Sequence, residues 1–298
     1  MLIRSSKVAY GVLLLVAAIW GSGFVAQRAG LIYLQPFSFN VARFVIAALA
    51  LLPLWFYQTR GRANIAHYPR VFWWGSLFAG TVMFLGFSLQ QAGLQYTTAG
   101  NAGFITSMYI VLVPLFGLLI GQRTNWYTWL GIGLAVIGLY KLSLNQGLNM
   151  NRGDMLELIG AVFWAIHVLA VGWLSTRLTD LVGFSIGQFV VASVWAALIM
   201  WLVEQPKLYA FLQAWQALLY SGVIVSGLAF TLQVMAQRSL NASMAALILS
   251  LEAVFALLAG YWLLNEPIST AQILGGGLML LGMLLSQWAQ SKTSSVDS

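Results

Sequence analysis

Three ionisable side chains, Arg43, Glu252 and His167, lie deep inside long apolar runs of this chain. A charge at mid-depth of a hydrocarbon layer costs roughly 2.5–3.5 kcal/mol or more, so each of them calls for a partner or an aqueous cavity. Arg43 sits about six residues into its run, ~9 Å at helical rise, and Glu252 about twelve residues into its own, ~18 Å. Entered from opposite sides of a ~30 Å layer, the two reach similar depth. Two chemistries follow. Either both face one substrate cavity, Arg43 meeting a carboxylate and Glu252 an amino group or a proton, or they form a fixed salt bridge between two helices. His167 follows Trp164 at i, i+3 spacing and so shares its helix face. Imidazole chemistry suits proton coupling; the alternative is a neutral histidine bonded to a neighbouring helix.

Other polar and aromatic residues sort around these three. Trp20 and Trp164 fall near mid-membrane, where an indole lines an aromatic substrate site or fills a core. Gln90 and Gln233 fall near opposite membrane faces, where they either cap two gates or bond nearby backbone. Asp154 and Glu157 share a helix face close to Arg152 and read as a solvated span end. The glycines of Gly131-Ile-Gly133 and Gly275-Gly-Gly277, with Gly100 and Gly103, are helix-packing devices. They are not phosphate loops, which need a strand before and a Lys-Ser/Thr after. No HExxH, other metal-ligand constellation or nucleophile–base set occurs, and there is no cysteine. The expectation is a non-enzyme with no cofactor and no metal.

The elements that position these residues are membrane spans. The chain is 60% hydrophobic and only 7% charged, against roughly 25% charged in soluble domains. Its apolar blocks give ten expected spans, 8–26, 37–57, 71–93, 97–120, 126–143, 155–174, 181–203, 209–236, 241–264 and 268–289. Each is far longer than a ~10-residue barrel strand and lacks strict alternation, so helix is the spanning form. The first block continues into a multi-span protein and reads as a span, not a cleaved signal.

With the N-terminus inside, the inner loops and ends carry Arg4, Lys7, Arg60, Arg62, Arg70, Arg123, Arg177, Arg238 and Lys292. The outer ones carry Arg28, Lys141, Arg152 and Lys207, an asymmetry that puts both termini in the cytoplasm of a cell (inner) membrane. Trp73, Trp74, Trp126, Trp201 and Trp288 fall near span ends as interfacial anchors. The net charge of +7 is accounted for by topology. No basic stripe with interleaved aromatics lies outside the spans, so nucleic acid is not an expected partner.

The chain repeats itself at a lag of about 144. Phe87-Ser-Leu-Gln90 matches Phe230-Thr-Leu-Gln233, and Ala99, Ala102, Ile105, Ser107 and Val111 match Ala242, Ala245, Ile248, Ser250 and Val254. Trp20 aligns with Trp164, Phe44 with Phe189, Arg43 with Gln188 and Tyr109 with Glu252. Residues 1–146 and 147–290 thus form two five-helix repeats, followed by a polar cytoplasmic tail at 291–298. Because five is odd, the second repeat enters the membrane in the opposite sense. Inverted repeats are a hallmark of secondary transporters, since two halves that trade conformations open one cavity to each side in turn. The expected fold is all-α and integral to the membrane, ten helices around a central cavity.

Ala18-Ile-Trp20-Gly-Ser-Gly-Phe24 resembles the first-span W-G-x-x-F signature of the drug/metabolite transporter superfamily, in its EamA-type ten-span branch. Ala42-Arg43-Phe44 resembles its second-span arginine motif. Ser250-Leu-Glu252-Ala-Val-Phe255 and Leu264-Asn-Glu266-Pro267 resemble its ninth-span stretch and following turn, with Ala253 and Asn265 where many members carry proline and glycine. The resemblance spans the whole chain. It implies a basket-like bundle that exports or exchanges small metabolites, often amino acids or related compounds. Trp20, Ser22, Arg43, Tyr109, Trp164, His167, Gln188 and Glu252 are the candidate cavity residues, and Gln90 and Gln233 the candidate gate. Expected partners are the lipid bilayer, a small-molecule substrate and a coupling proton. A multidrug or lipid-linked sugar carrier is the alternative within transport, and a lipid-modifying membrane enzyme the alternative of another class.

Overall fold

A computed structural model describes residues 5–60, 68–122, 124–143, 151–264 and 268–294. Arg4, Arg62, Arg123 and residues 265–267 of the turn before the last span lie outside them. The described residues are helical, without strands: α1 (Ser6–Gly30), α2 (Pro36–Thr59), α3 (Arg70–Gly93), α4 (Ala99–Thr106), α5 (Tyr109–Leu119), α6 (Trp126–Ser143), α7 (Arg152–Ser175) and α8 (Leu181–Val203) come first. Then follow α9 (Leu208–Gln213), α10 (Trp215–Leu219), a π-helical stretch Tyr220–Leu228, α11 (Ala229–Gln237), α12 (Ala242–Leu249), α13 (Glu252–Leu264) and α14 (Thr270–Ser294). Among the described residues eight helical segments are long and apolar enough to cross a membrane. The long helices α6 and α14 are not among the eight, and the apolar stretch of α14 is only Ile273–Ser286.

Local chemistry sets the helix starts. Thr98, Asp180 and Asn241 each accept a backbone N–H three residues on, at the heads of α4, α8 and α12. Asn151 and Asp154 form a reciprocal capping box on α7. Pro36 opens α2, where its missing N–H costs nothing.

Two expected spans are not continuous helices. The segment 97–120 breaks after Thr106, and 241–264 breaks after Leu249. At each break a serine hydroxyl takes a carbonyl of the preceding turn, Ser107 that of Gly103 at 2.8 Å and Ser250 that of Leu247 at 2.8 Å. The following backbone bonds tighten to i→i−3, as in Ile110 N to Ser107 O and Ala253 N to Ser250 O. The breaks also touch, since the Ser107 hydroxyl reaches the Ser250 carbonyl at 3.2 Å. The segment 209–236 is interrupted too, by the π-helical stretch. Such stretches free a carbonyl from the helical ladder, and Trp20 Nε1 donates to the carbonyl of Val225 there at 3.2 Å.

The halves of the chain interlock. The main helix contacts, α3–α7, α2–α8, α1–α13 and α6–α14, all join the first half to the second. On α6 and α14 the glycines let backbones meet: a Cβ on Gly131 would lie 2.5 Å from the Gly282 carbonyl oxygen, and one on Gly138 2.4 Å from that of Gly275. These two contacts make the helices antiparallel. Gly133 and Gly277, expected at such contacts, face open space.

The α2–α8 pair is latched at both ends by carboxylates. Glu204, just past α8, accepts from Phe37 N at 2.9 Å, from Ser38 N at 2.7 Å and from the Ser38 hydroxyl, filling the free donors of the α2 N-terminus. Asp180, before α8, accepts from Trp55 Nε1 at 2.7 Å and from the Tyr68 hydroxyl. Burial and the bond to Asp180 push the Tyr68 phenol up to about 12, so it remains a donor at neutral pH.

Replacing Glu204 with alanine strands the two backbone donors it caps. The expected loss is about 1–3 kcal/mol, read as a lower midpoint of thermal unfolding of the solubilised protein, with Glu204→Gln falling between.

Candidate functional site

A cavity at the centre of the bundle draws its walls from both halves. Trp20, Phe24 and Gln27 come from α1, Phe87 and Gln90 from α3, and Thr106 and Tyr109 from either side of the α4–α5 break. The second half supplies Trp164 and Val168 from α7, Val225 from the π-helical stretch, Phe230 and Gln233 from α11, and Glu252 from the head of α13. The space is narrow, about 30 Å³, room for water but not for a metabolite.

Of the ten candidate residues, Trp20, Gln90, Tyr109, Trp164, Gln233 and Glu252 reach this wall. The bundle brings both glutamines to the wall of the same cavity. Gln90 Oε1 accepts from Trp164 Nε1 at 3.1 Å, and Gln233 Nε2 donates to Gln237 Oε1 at 2.9 Å. Ser22 is off the wall, its hydroxyl bonded to Tyr220 at 2.6 Å and to the Ile19 carbonyl at 2.9 Å. His167 and Gln188 stand one layer back, His167 Nε2 bonded to Gln188 Oε1 at 2.8 Å across α7 and α8. The His167 ring packs edge-on against Trp164 and Phe230, each at 5.8 Å.

Arg43 and Glu252 do not pair. Arg43, 0% exposed, has no acidic partner among the described residues, and its Nη2 has no hydrogen-bond partner. Its Nη1 donates to Gln27 Oε1 at 2.9 Å and its Nε to Ser226 Oγ at 3.2 Å. The guanidinium lies 4.0 Å from the Phe87 ring centroid, with Phe39 and Phe44 each at 5.9 Å. Such faces attract a desolvated cation by about 2 kcal/mol. Spacing along two helices gave depth but not azimuth, and the azimuths separate the two charges. Glu252 instead faces the cavity beside Tyr109, and neither Glu252 Oε1 nor the Tyr109 hydroxyl has a hydrogen-bond partner.

Three residues that carry this site were not legible as such. Gln27 is the hub: its Oε1 also accepts from Gln90 Nε2 at 3.1 Å, completing a chain from Arg43 through Gln27 and Gln90 to Trp164. Its signal was a lone glutamine at the end of an apolar run. Glu157 and Asp154 are not a solvated span end. Both are buried, because α7 packs its polar first turns against α3 and α4. Asp154 accepts from Thr97 at 2.6 Å, and Glu157 Oε2 from Thr106 at 2.9 Å. Thr106 is itself a wall residue, so Glu157 stands directly behind the cavity.

Gln27→Leu would strip a buried guanidinium and a buried amide of their shared acceptor. The expected loss is about 2–3 kcal/mol of stability, measured by thermal unfolding in lipid, whereas Gln27→Glu keeps the acceptor and loses less.

The EamA-like transporter family matches the chain twice, over residues 7–144 and 151–288. An uncharacterized transporter of Archaeoglobus fulgidus is 34% identical over 281 residues, covering 92% of this chain and 83% of the relative. The uncharacterized transporter YoaV of Bacillus subtilis is 24% identical over 93% of this chain and 96% of its own length. The uncharacterized inner membrane transporter YedA of Escherichia coli K12 is 25% identical over 93% and 89%. A solved structure titled only "Crystal structure of protein" shares the fold with a TM-score of 0.80 at 16% identity, over 97% of this chain and 99% of that one. With eight apolar membrane-length helical segments among its described residues, the chain is a multi-pass membrane transporter and not an enzyme, and it belongs to the EamA-like transporter family of the drug/metabolite transporter superfamily.

Proposed function

We propose that the protein is a secondary carrier that moves small metabolites, amino acids or related amphiphilic compounds, out of the cytoplasm by alternating access. The observation that carries this reading is the pairing of the cavity wall. Trp20 and Trp164, Phe87 and Phe230, Gln90 and Gln233, Tyr109 and Glu252 all line it, and each pair is separated by 143 or 144 residues. A wall built from repeat-related pairs is what a cavity on a pseudo-two-fold axis between residues 1–146 and 147–290 would have. Contact between the two helix breaks, through Ser107 and Ser250, fits the same axis. Discontinuous helices meeting at mid-membrane are where carriers hold cargo.

The α6–α14 contact supports ten spans in two inverted sets. Gly131 and Gly275 are related by 144 residues, as are Gly138 and Gly282. The contacts Gly131–Gly282 and Gly138–Gly275 therefore exchange repeat-related positions, as a two-fold rotation between the halves would require. In this reading α6 and α14 cross as a pair, and both termini face the cytoplasm of the cell (inner) membrane. The driving force is the gradient of substrate or an exchanged proton. An apolar cleft of about 690 Å³ between α3, α5 and α7 shares no wall residue with the cavity. It therefore lends no support to a lateral path for drug-like or lipid-linked cargo.

The chain has no cysteine, so an introduced one is a unique label. Cysteine at Thr98 is expected to react with an impermeant maleimide from outside, and at Asn241 only from inside; labelling of both from one side overturns the inverted arrangement. Vesicles reconstituted with the protein and loaded with labelled amino acids and amines, with and without a pH gradient, should show protein-dependent flux. A folded preparation that moves none of them excludes the carrier.

A further inference from the structure

The cavity wall is lopsided in charge. Among its residues Glu252 is acidic and none is basic. Arg43, a cation suited to a substrate carboxylate, is not a wall residue; it lies against the wall residues Phe87 and Gln27, held by rings, an amide and a hydroxyl, with its Nη2 left without a hydrogen-bond partner. Glu252 is 3% exposed, and its Oε1 is turned to no donor. A second carboxyl, Glu157, stands behind Thr106 with its own Oε1 unpartnered. Around Glu252 the wall is aromatic, with Trp20, Phe87, Trp164 and Phe230 in mutual contact at 4.6–5.8 Å between ring centroids.

A buried carboxylate beside aromatic faces is the chemistry that recognises an organic cation. An anionic ligand would meet Glu252 as a like charge and find no basic group on the wall, only neutral donors such as the amides of Gln27, Gln90 and Gln233 and the Tyr109 hydroxyl. The half-helix ends at the two breaks do not reverse this balance. The positive end of α13 is already met by Glu252 itself, its first residue, and the negative ends of α4 and α12 lie at the same level.

We infer that the cavity selects organic monocations, amines or quaternary ammonium compounds with an aromatic or apolar body, over carboxylates. The cation lies against Glu252 and the body among the rings. This rests on the cavity being the carrier's substrate site. It ranks an amine above the amino acid that carries the same body, because the extra carboxylate finds no basic partner on the wall.

The test is equilibrium binding to the full-length protein in lipid nanodiscs, by calorimetry and by quenching of tryptophan fluorescence. The probes are phenethyltrimethylammonium and 3-phenylpropionate, which share a ring and differ in charge. The expected result is saturable binding of the cation and binding at least about tenfold weaker for the carboxylate. Glu252→Gln should lose the preference and Glu252→Asp keep it. A wild-type protein that binds the carboxylate as tightly as the cation, or fails to bind the cation, overturns the assignment whatever the variants do. So does loss of binding in Arg43→Gln with none in Glu252→Gln. Cation binding without flux in vesicles would instead sink the carrier reading and leave this one standing.

Discussion

A guanidinium without an acidic partner lies at the centre of a bundle of apolar helices, and the arrangement around it follows from the need to solvate it. Water cannot do so inside hydrocarbon, and an unpartnered charge there is among the most costly things a protein can bury. Arg43 is held by an amide from α1, a hydroxyl from the π-helical stretch and three phenylalanine rings. Supplying them fixes α1, α2, α3 and the Tyr220–Leu228 stretch relative to one another. Close approach of α2 to that stretch requires Gly222, where a Cβ would lie 2.6 Å from Ile46 Cγ2. The shared acceptor Gln27 then carries the network to Gln90 and Trp164 and so to the cavity wall.

The same demand for internal partners explains the carboxylates. Glu204 and Asp180 sit at the two ends of α8 and tie it to α2, so they hold the frame. Glu157 and Glu252 are different, because each leaves an oxygen unpartnered although buried. An unsatisfied buried acceptor is a cost to folding, and these two lie at the cavity wall and directly behind it. The frame-holding carboxylates are satisfied by the chain, and each of the cavity-side ones keeps an unpartnered oxygen.

Helix breaks flank this centre. Where Ser107 and Ser250 divert carbonyls, the ladder is interrupted, and the half-helices α4, α5, α12 and α13 are joined by a residue or two each. The cavity is too narrow for a metabolite as it stands. At the breaks i→i−3 bonds replace part of the regular i→i−4 ladder. The antiparallel α6–α14 pair is instead locked by backbone-to-backbone contact at its glycines.

Composition and periodicity alone determined that the chain is a bundle of membrane helices with an internal repeat, because hydrocarbon thickness and backbone satisfaction leave few alternatives. They also marked Trp20, Trp164 and Glu252 as deep in the membrane, since depth along a helix is linear in residue number, and the repeat paired Tyr109 with Glu252. Which way each residue points around its helix depends on what the neighbouring helices offer, and only the tertiary structure decided that. It turned Arg43 away from Glu252 and into a cage of rings, and it brought Gln90 and Gln233 to one cavity. It also buried Glu157 at a helix end that reads as solvent-exposed, and it made Gln27 a hub. In hydrocarbon a polar side chain takes whatever partner the packing supplies, and that partner is hundreds of bonds away along the chain.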